Sequence, residues 1–151
     1  MELSEVLVKS LASFIATMAI SITMYAPKNE IVYCGGVGAL GYFTYSILLY
    51  NGLEPTVAVT VAAMVFSIFS RIFAYNRKRP VTVFLTPGFI PLSPGSLIYY
   101  TMSHLLNGEN ALAQEALLDA FFRAGCLSLG ISFIFIIPHT FFKIKVPTFY
   151  K

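Results

Sequence analysis

Thr86–Ser96 reads "TPGFIPLSPGS", and within it three prolines and two glycines occupy the nine positions from Pro87 to Gly95. They lie inside an apolar run, Val81 to Leu106, that is long enough to cross a bilayer, for which about 20 apolar residues suffice in a helix. Each proline lacks an amide donor and crowds the carbonyl four residues earlier, so a single unbroken helix through Pro87, Pro91 and Pro94 is not expected. Entering from Pro80, the prolines arrive after about 7 to 14 residues, or about 10 to 20 Å of helical rise, which predicts a break near the middle of the membrane. Irregular backbone at that depth survives only where protein buries it or where it lines a watery cavity.

The rest of the chain supplies the lipid setting. Of its 151 residues 57% are hydrophobic and 11% charged, and the mean hydropathy is +0.76, whereas a soluble domain is about a quarter charged. So few charges cannot make a polar shell, which predicts an all-α integral membrane protein, a single transmembrane domain over residues 1–151. Four further stretches are long and apolar enough to cross: residues 6–26, 31–50, 56–75 and 117–142, giving five crossings with 81–106 as the fourth, broken one. Short connectors such as "APKNE", "NGLEP" and "NRKRP", and the longer "NGENALAQEA", carry turn residues. The amino terminus, "MELSEVLVKS", is acidic and reads as part of the first crossing rather than as a removable signal.

With five crossings the charges sort between two sides. Lys28, Arg77, Lys78, Arg79, Lys143, Lys145 and Lys151 share one side with Glu30, while Glu2, Glu5, Glu54, Glu109, Glu115 and Asp119 share the other with Lys9 and Arg123. Enrichment of Lys and Arg marks the cytoplasmic side, so the amino terminus is expected outside and the carboxyl terminus inside. Net charge is only +3 and the cations do not interleave with aromatics, which argues against a nucleic-acid partner.

Downstream of the break, "SPGS" resembles a helix start, with Ser93 as the cap, Pro94 at the first position, and the amide groups of Gly95 and Ser96 free. A helix amino terminus carries about half a positive charge and favours anions, as in the broken helices of transporters. From there Ser96, Tyr100, Ser103 and Asn107 recur at helical spacing, a polar stripe with Tyr99 beside it. Pro87, Pro91, Pro94, Gly95, Ser96, Tyr99, Tyr100 and Ser103 are therefore the candidate substrate or pathway residues. The alternative is a kinked, packed helix whose serines bond back to their own carbonyls. Arg71, in "FSRIFAY", is the ionisable residue within a crossing; it either snorkels to the nearby interface or meets an anion. No Asp or Glu lies deep in a crossing, so an acid for proton coupling would come from another chain.

"GVGALG", Gly36–Gly41, matches a dinucleotide fingerprint, but the apolar crossing that contains it leaves no room for a βαβ unit. As a helix, Cys34, Gly38, Gly41 and Tyr45 make a narrow face of small residues, with Gly38 and Gly41 as packing positions for a close neighbour. Cys34 and Cys126 read as small buried residues, His104 as an interfacial histidine, and Asp119 and Arg123, spaced i, i+4, as a pair near the outer surface. No nucleophile and base arrangement or metal-ligand cluster is visible, so neither an enzyme, a cofactor nor a bound metal is expected.

The motif P-G-x-x-P-L-x-P-G followed by I-Y, together with the preceding crossing "VAVTVAAMVFSIFSRIF", resembles the threonine/serine exporter family, and specifically its carboxyl-terminal membrane half. The resemblance runs from about Gly35 to Gly130 and includes Arg71, Pro80, Pro87, Pro91, Pro94, Gly95 and Tyr99; Tyr100 departs from the pattern, where a basic residue follows the first tyrosine. It implies a small subunit of a secondary exporter in a bacterial inner membrane. The substrate would be a small amino acid of threonine/serine type or a small dicarboxylate, anionic or zwitterionic, and the partner a larger membrane subunit of the same family, with a homo-oligomer also compatible. The competing expectation is an assembly or scaffold subunit whose helix seams serve only to hold a partner.

Overall fold

A computed structural model describes residues 3–137. The helices are α1 (Leu3–Thr23), α2 (Ile31–Tyr50), α3 (Pro55–Arg77), α4 (Thr82–Phe89), α5 (Gly95–Leu106) and α6 (Asn110–Ile136), with no strand among the described residues. α1, α2, α3 and α6 are each long and apolar enough to cross a membrane, and α4 and α5 form the interrupted crossing between them. The chain is an all-α membrane protein. Residues 138–142 of the expected last crossing, and Glu2, Lys143, Lys145 and Lys151 of the charge pattern, lie outside the described residues.

Local chemistry sets the turns. Gly52 (φ 80°) turns α2 into α3, whose first turn holds Pro55 where its missing donor is harmless, and Lys78 (φ 52°) ends α3 in the left-handed region. Gly108 (φ 76°) reverses α5 into α6. At the basic end Glu30 is almost wholly buried, held by Arg77 Nε at 2.9 Å, and Arg77 also lies over the Tyr33 ring at 4.7 Å. This pairing ties the α1–α2 connector to the end of α3.

Small residues bring the helices together. α1 buries Val6, Ser10, Ser13, Thr17 and Ser21, one face at helical spacing. Their hydroxyls bond back to α1 carbonyls, as Thr17 does to Ser13 at 2.7 Å, or across to α2, as Ser13 does to the Gly38 carbonyl at 3.2 Å. Gly38 admits this contact, since a Cβ there would stand 2.1 Å from Thr17 Oγ1. Gly41, further along α2, faces Phe66 of α3 and Leu92 instead. The small face of α2 therefore serves two neighbours. α6 seats Gly130 against the Thr60 carbonyl of α3, where a Cβ would meet the oxygen at 2.6 Å.

Two boundaries differ from those expected. Helix α6 begins at Asn110, seven residues before the expected crossing at Leu117, so "NALAQEA" is two helical turns rather than an irregular connector. Its alanines and leucine are strong helix formers, and Ala113 and Ala120 are buried. Glu115, expected on the connector, consequently lies within α6 with Asp119 and Arg123, whose expected i, i+4 pair forms at 3.6 Å. The interruption is also narrower than the proline count suggests, because α4 runs through Pro87, Ile90–Leu92 tighten into a 3₁₀ turn, and only Ser93 and Pro94 are irregular.

Candidate functional site

Two of the carbonyls freed by prolines at the interruption have partners. Pro87 cannot donate to the Val83 carbonyl, and the thiol of Cys34 on α2 takes that place, 3.3 Å away. Pro94 likewise leaves the Ile90 carbonyl open, and Ser93 fills it twice, through its amide at 3.1 Å and its hydroxyl at 2.7 Å. Ser93 is thus committed backward and does not cap α5, contrary to expectation. Pro94 (φ −77°, ψ 41°) precedes the helix, Gly95 begins it, and the Gly95 amide is not free but bonds the Ser93 carbonyl at 2.8 Å. The amides of Ser96 and Leu97 have no backbone acceptor among the described residues, as the geometry of a helix start requires.

Beside this helix start lies a cleft of about 160 Å³ lined by Tyr42 and Tyr45 of α2, Val59 of α3, the Pro91–Pro94 segment, Ser96, Leu97 and Arg123 of α6. Tyr42 and Tyr45 meet edge to face, 5.9 Å between centroids. The Arg123 guanidinium stands beside the Tyr45 hydroxyl and 3.6 Å from Asp119. No carboxylate lines the cleft. Measured against the neighbouring helices, the cleft is nearer the α2–α3 turn than their midpoints: Tyr45 precedes the end of α2, and Val59 follows the start of α3, by about 6 to 8 Å.

A second, larger groove of about 280 Å³ lies on the other side of the interruption, between the α1–α2 connector (Met24–Pro27) and Thr82, Val83, Thr86 and Pro87. Close packing lies between the two. A Cβ at Gly88 would stand 2.8 Å from Val37 Cγ1, one at Gly41 would stand 3.1 and 3.2 Å from Phe66 and Leu92, and Phe66 and Phe84 are fully buried. The two glycines on facing helices let large side chains close the space completely.

The structure gathers Pro91, Pro94 and Ser96 at the cleft and leaves Gly95 exposed at its rim. Pro87 is buried on the other side of the packed layer. Tyr99 and Tyr100 are exposed and Ser103 half-buried, whereas the buried face of α5 is marked by Thr101, so the polar stripe is directed away from the body of the chain. Arg71 is elsewhere. It is buried on α3, donates to the Ile134 carbonyl near the end of α6 and stands over the Phe135 ring at 5.5 Å. Twelve residues, about 18 Å of helix, separate it from Val59. It does not line the cleft. Arg123 and the pair Tyr42 and Tyr45 are the site residues that sequence reasoning passed over.

No solved structure matches the chain. Residues 9–137 match the family model described as "Threonine/Serine exporter, ThrE", which covers most of the chain and includes every element that builds the cleft. The helical membrane architecture, the interrupted crossing and this match agree, and the chain belongs to the threonine/serine exporter family.

Proposed function

We propose that this chain is a small subunit of a secondary exporter. It moves a small carboxylate-bearing metabolite, an amino acid of threonine/serine type or a small dicarboxylate, through the cleft beside Ser93–Pro94. The observation that carries the reading is the polar stripe of α5, which leads from the cleft with no described helix upon it. Several buried hydroxyls bond back to their own helix, as Thr101 does to Leu97 and Ser70 to Phe66, and Ser13 reaches across to Gly38, whereas Ser96 and Ser103, like buried Ser67, make no side-chain hydrogen bond among the described residues. Polar groups on a membrane helix face protein or water and not lipid. A larger membrane subunit of the same family, laid along α5, would supply the missing wall.

The membrane is the bacterial cytoplasmic one, with the amino terminus outside and the carboxyl terminus in the cytoplasm. The described cations support this orientation: Lys28, Arg77, Lys78 and Arg79 gather at one end, and Glu54 and Glu109 at the other. Small-substrate entry from the cytoplasm would then meet the groove at Thr86–Pro87 first and the Arg123 cleft second, with the Gly41–Gly88 layer as the closed barrier between them.

Transport in vesicles holding both subunits tests the reading. Pro94→Ala restores a donor where the helix is interrupted and Gly95→Leu places bulk at the rim, where nothing lies within 4 Å to disturb folding. Both should insert normally and lose most transport; unchanged transport by both would remove the cleft from the path. Single cysteines at Ser96, Tyr100 and Ser103 separate this from a scaffold, for which all three would be shielded from aqueous thiol reagents.

A further inference from the structure

Arg123 lies thirteen residues from each end of α6, about 20 Å of helix, further than an arginine side chain reaches toward either end. Arg123 is level with Tyr45 and Val59, about one to two turns inside the α2–α3 end of the bundle, where a cation lining a cleft between helices is paired, used or reaching for the surface. Its pairing is weak. Asp119, one turn earlier on the same helix, approaches through a single oxygen at 3.6 Å, and its own side chain is 58% exposed. A guanidinium carries five N–H donors in a planar fork, so the long contact with Asp119 and the hydrogen bond to the Tyr45 hydroxyl leave part of that capacity unspent. What the rest of the fork faces is the cleft, where the lining groups are phenols, a serine, prolines and apolar side chains, and none is an acid.

The folding of the chain explains how the cation arrives there. The reversal at Asn107–Glu109 sends α6 back along α5, and α5 has twelve residues while Arg123 is the fourteenth residue of α6. Equal travel out and back brings Arg123 level with the start of α5, beside Ser96. The guanidinium and the unbonded Ser96 and Leu97 amides therefore border one small space.

We propose that Arg123 is the residue that recognises the carboxylate of the transported molecule, and that it selects for small compounds bearing a free carboxylate over their neutral amides. The guanidinium takes the carboxylate oxygens, the first-turn amides of α5 add donors, and Tyr45 and Ser96 offer hydroxyls to a second polar group. This rests on the cleft being the substrate site.

The test uses the full chain with the subunits that co-purify with it, in detergent, and measures equilibrium binding of labelled threonine and of labelled succinate, with threonine amide as competitor. Arg123→Gln weakens binding of whichever probe the native complex takes by about ten- to a hundredfold, the loss expected for a charged hydrogen-bonding partner. Arg123→Lys falls between, and threonine amide fails to compete. Asp119→Asn removes the rival acid and tightens binding. Equal losses in Arg123→Gln and Asp119→Asn, accompanied by equal falls in thermal midpoint, would show a structural pair and overturn the proposal, as would competition by the amide as strong as that by threonine. If Pro94→Ala abolishes binding while Arg123→Gln preserves it, the cleft stands and Arg123 loses its part. If neither substitution matters, or the native complex binds neither probe, the cleft reading falls as well.

Discussion

The two halves of the interrupted crossing have opposite surroundings. α4 is enclosed by α1, α2 and α3, and its proline-freed carbonyl at Val83 is met by Cys34 from another helix. α5 packs chiefly along α6 and turns Ser96, Tyr99 and Tyr100 outward. The sequence differs in step with this. "TVFLTPGF" has no charge and only threonine hydroxyls, whereas "GSLIYYTMSHLL" carries two serines, two tyrosines and a histidine. One half is built to be filled around, the other to be completed, so equivalent substitutions in the two should fail in different assays.

The largest expected effect is on the enclosed half. Gly88→Leu drives a side chain into Val37, already 2.8 Å from the place of a Cβ, and should destabilise the fold by about 1 to 3 kcal/mol or more, read as a lowered thermal midpoint in detergent. The open half should respond in function alone. Ser96→Leu with Ser103→Leu should leave abundance and thermal midpoint unchanged while transport falls by about tenfold, the equivalent of one or two lost hydrogen bonds. If that pair unfolds the protein instead, α5 is as enclosed as α4 and the contrast disappears.

Cys34→Ala sharpens the account of α4, since it strands the Val83 carbonyl in an apolar interior at a cost of about 1 kcal/mol, and Cys34→Ser should recover most of it. The smallest effect is expected at Gly125 of α6, which has nothing within 4 Å of a built Cβ, so that Gly125→Leu should stay within about 0.5 kcal/mol of the parent.

Much of this architecture was legible from the chain. The long apolar runs located α1, α2 and α3, and the proline cluster located the interruption. Its narrow form was not legible, because whether Pro87 breaks a helix depends on whether another helix can serve Val83, and Cys34 is distant in sequence. Arg123 was missed for a related reason. Asn, Gln and Glu between Asn110 and Glu115 have the composition of a connector, and starting α6 at Leu117 moves the inferred depth of Arg123 by seven residues, about 10 Å. A spacing of i, i+4 with Asp119 then suffices to explain it away. Arg71 shows the converse: its place within an apolar run is evident from sequence, but the Ile134 carbonyl that receives it lies 63 positions later.

The shortness of α5 bears on biogenesis. Its twelve residues rise about 18 Å, well under the hydrocarbon thickness of about 30 Å, so it cannot enter the bilayer as an independent span. Its main neighbour among the described helices is α6, which follows it. The nascent polypeptide must therefore hold this stretch back until the following helix has emerged, and insert the two together as a hairpin, making the tight reversal at Gly108 an early requirement of assembly.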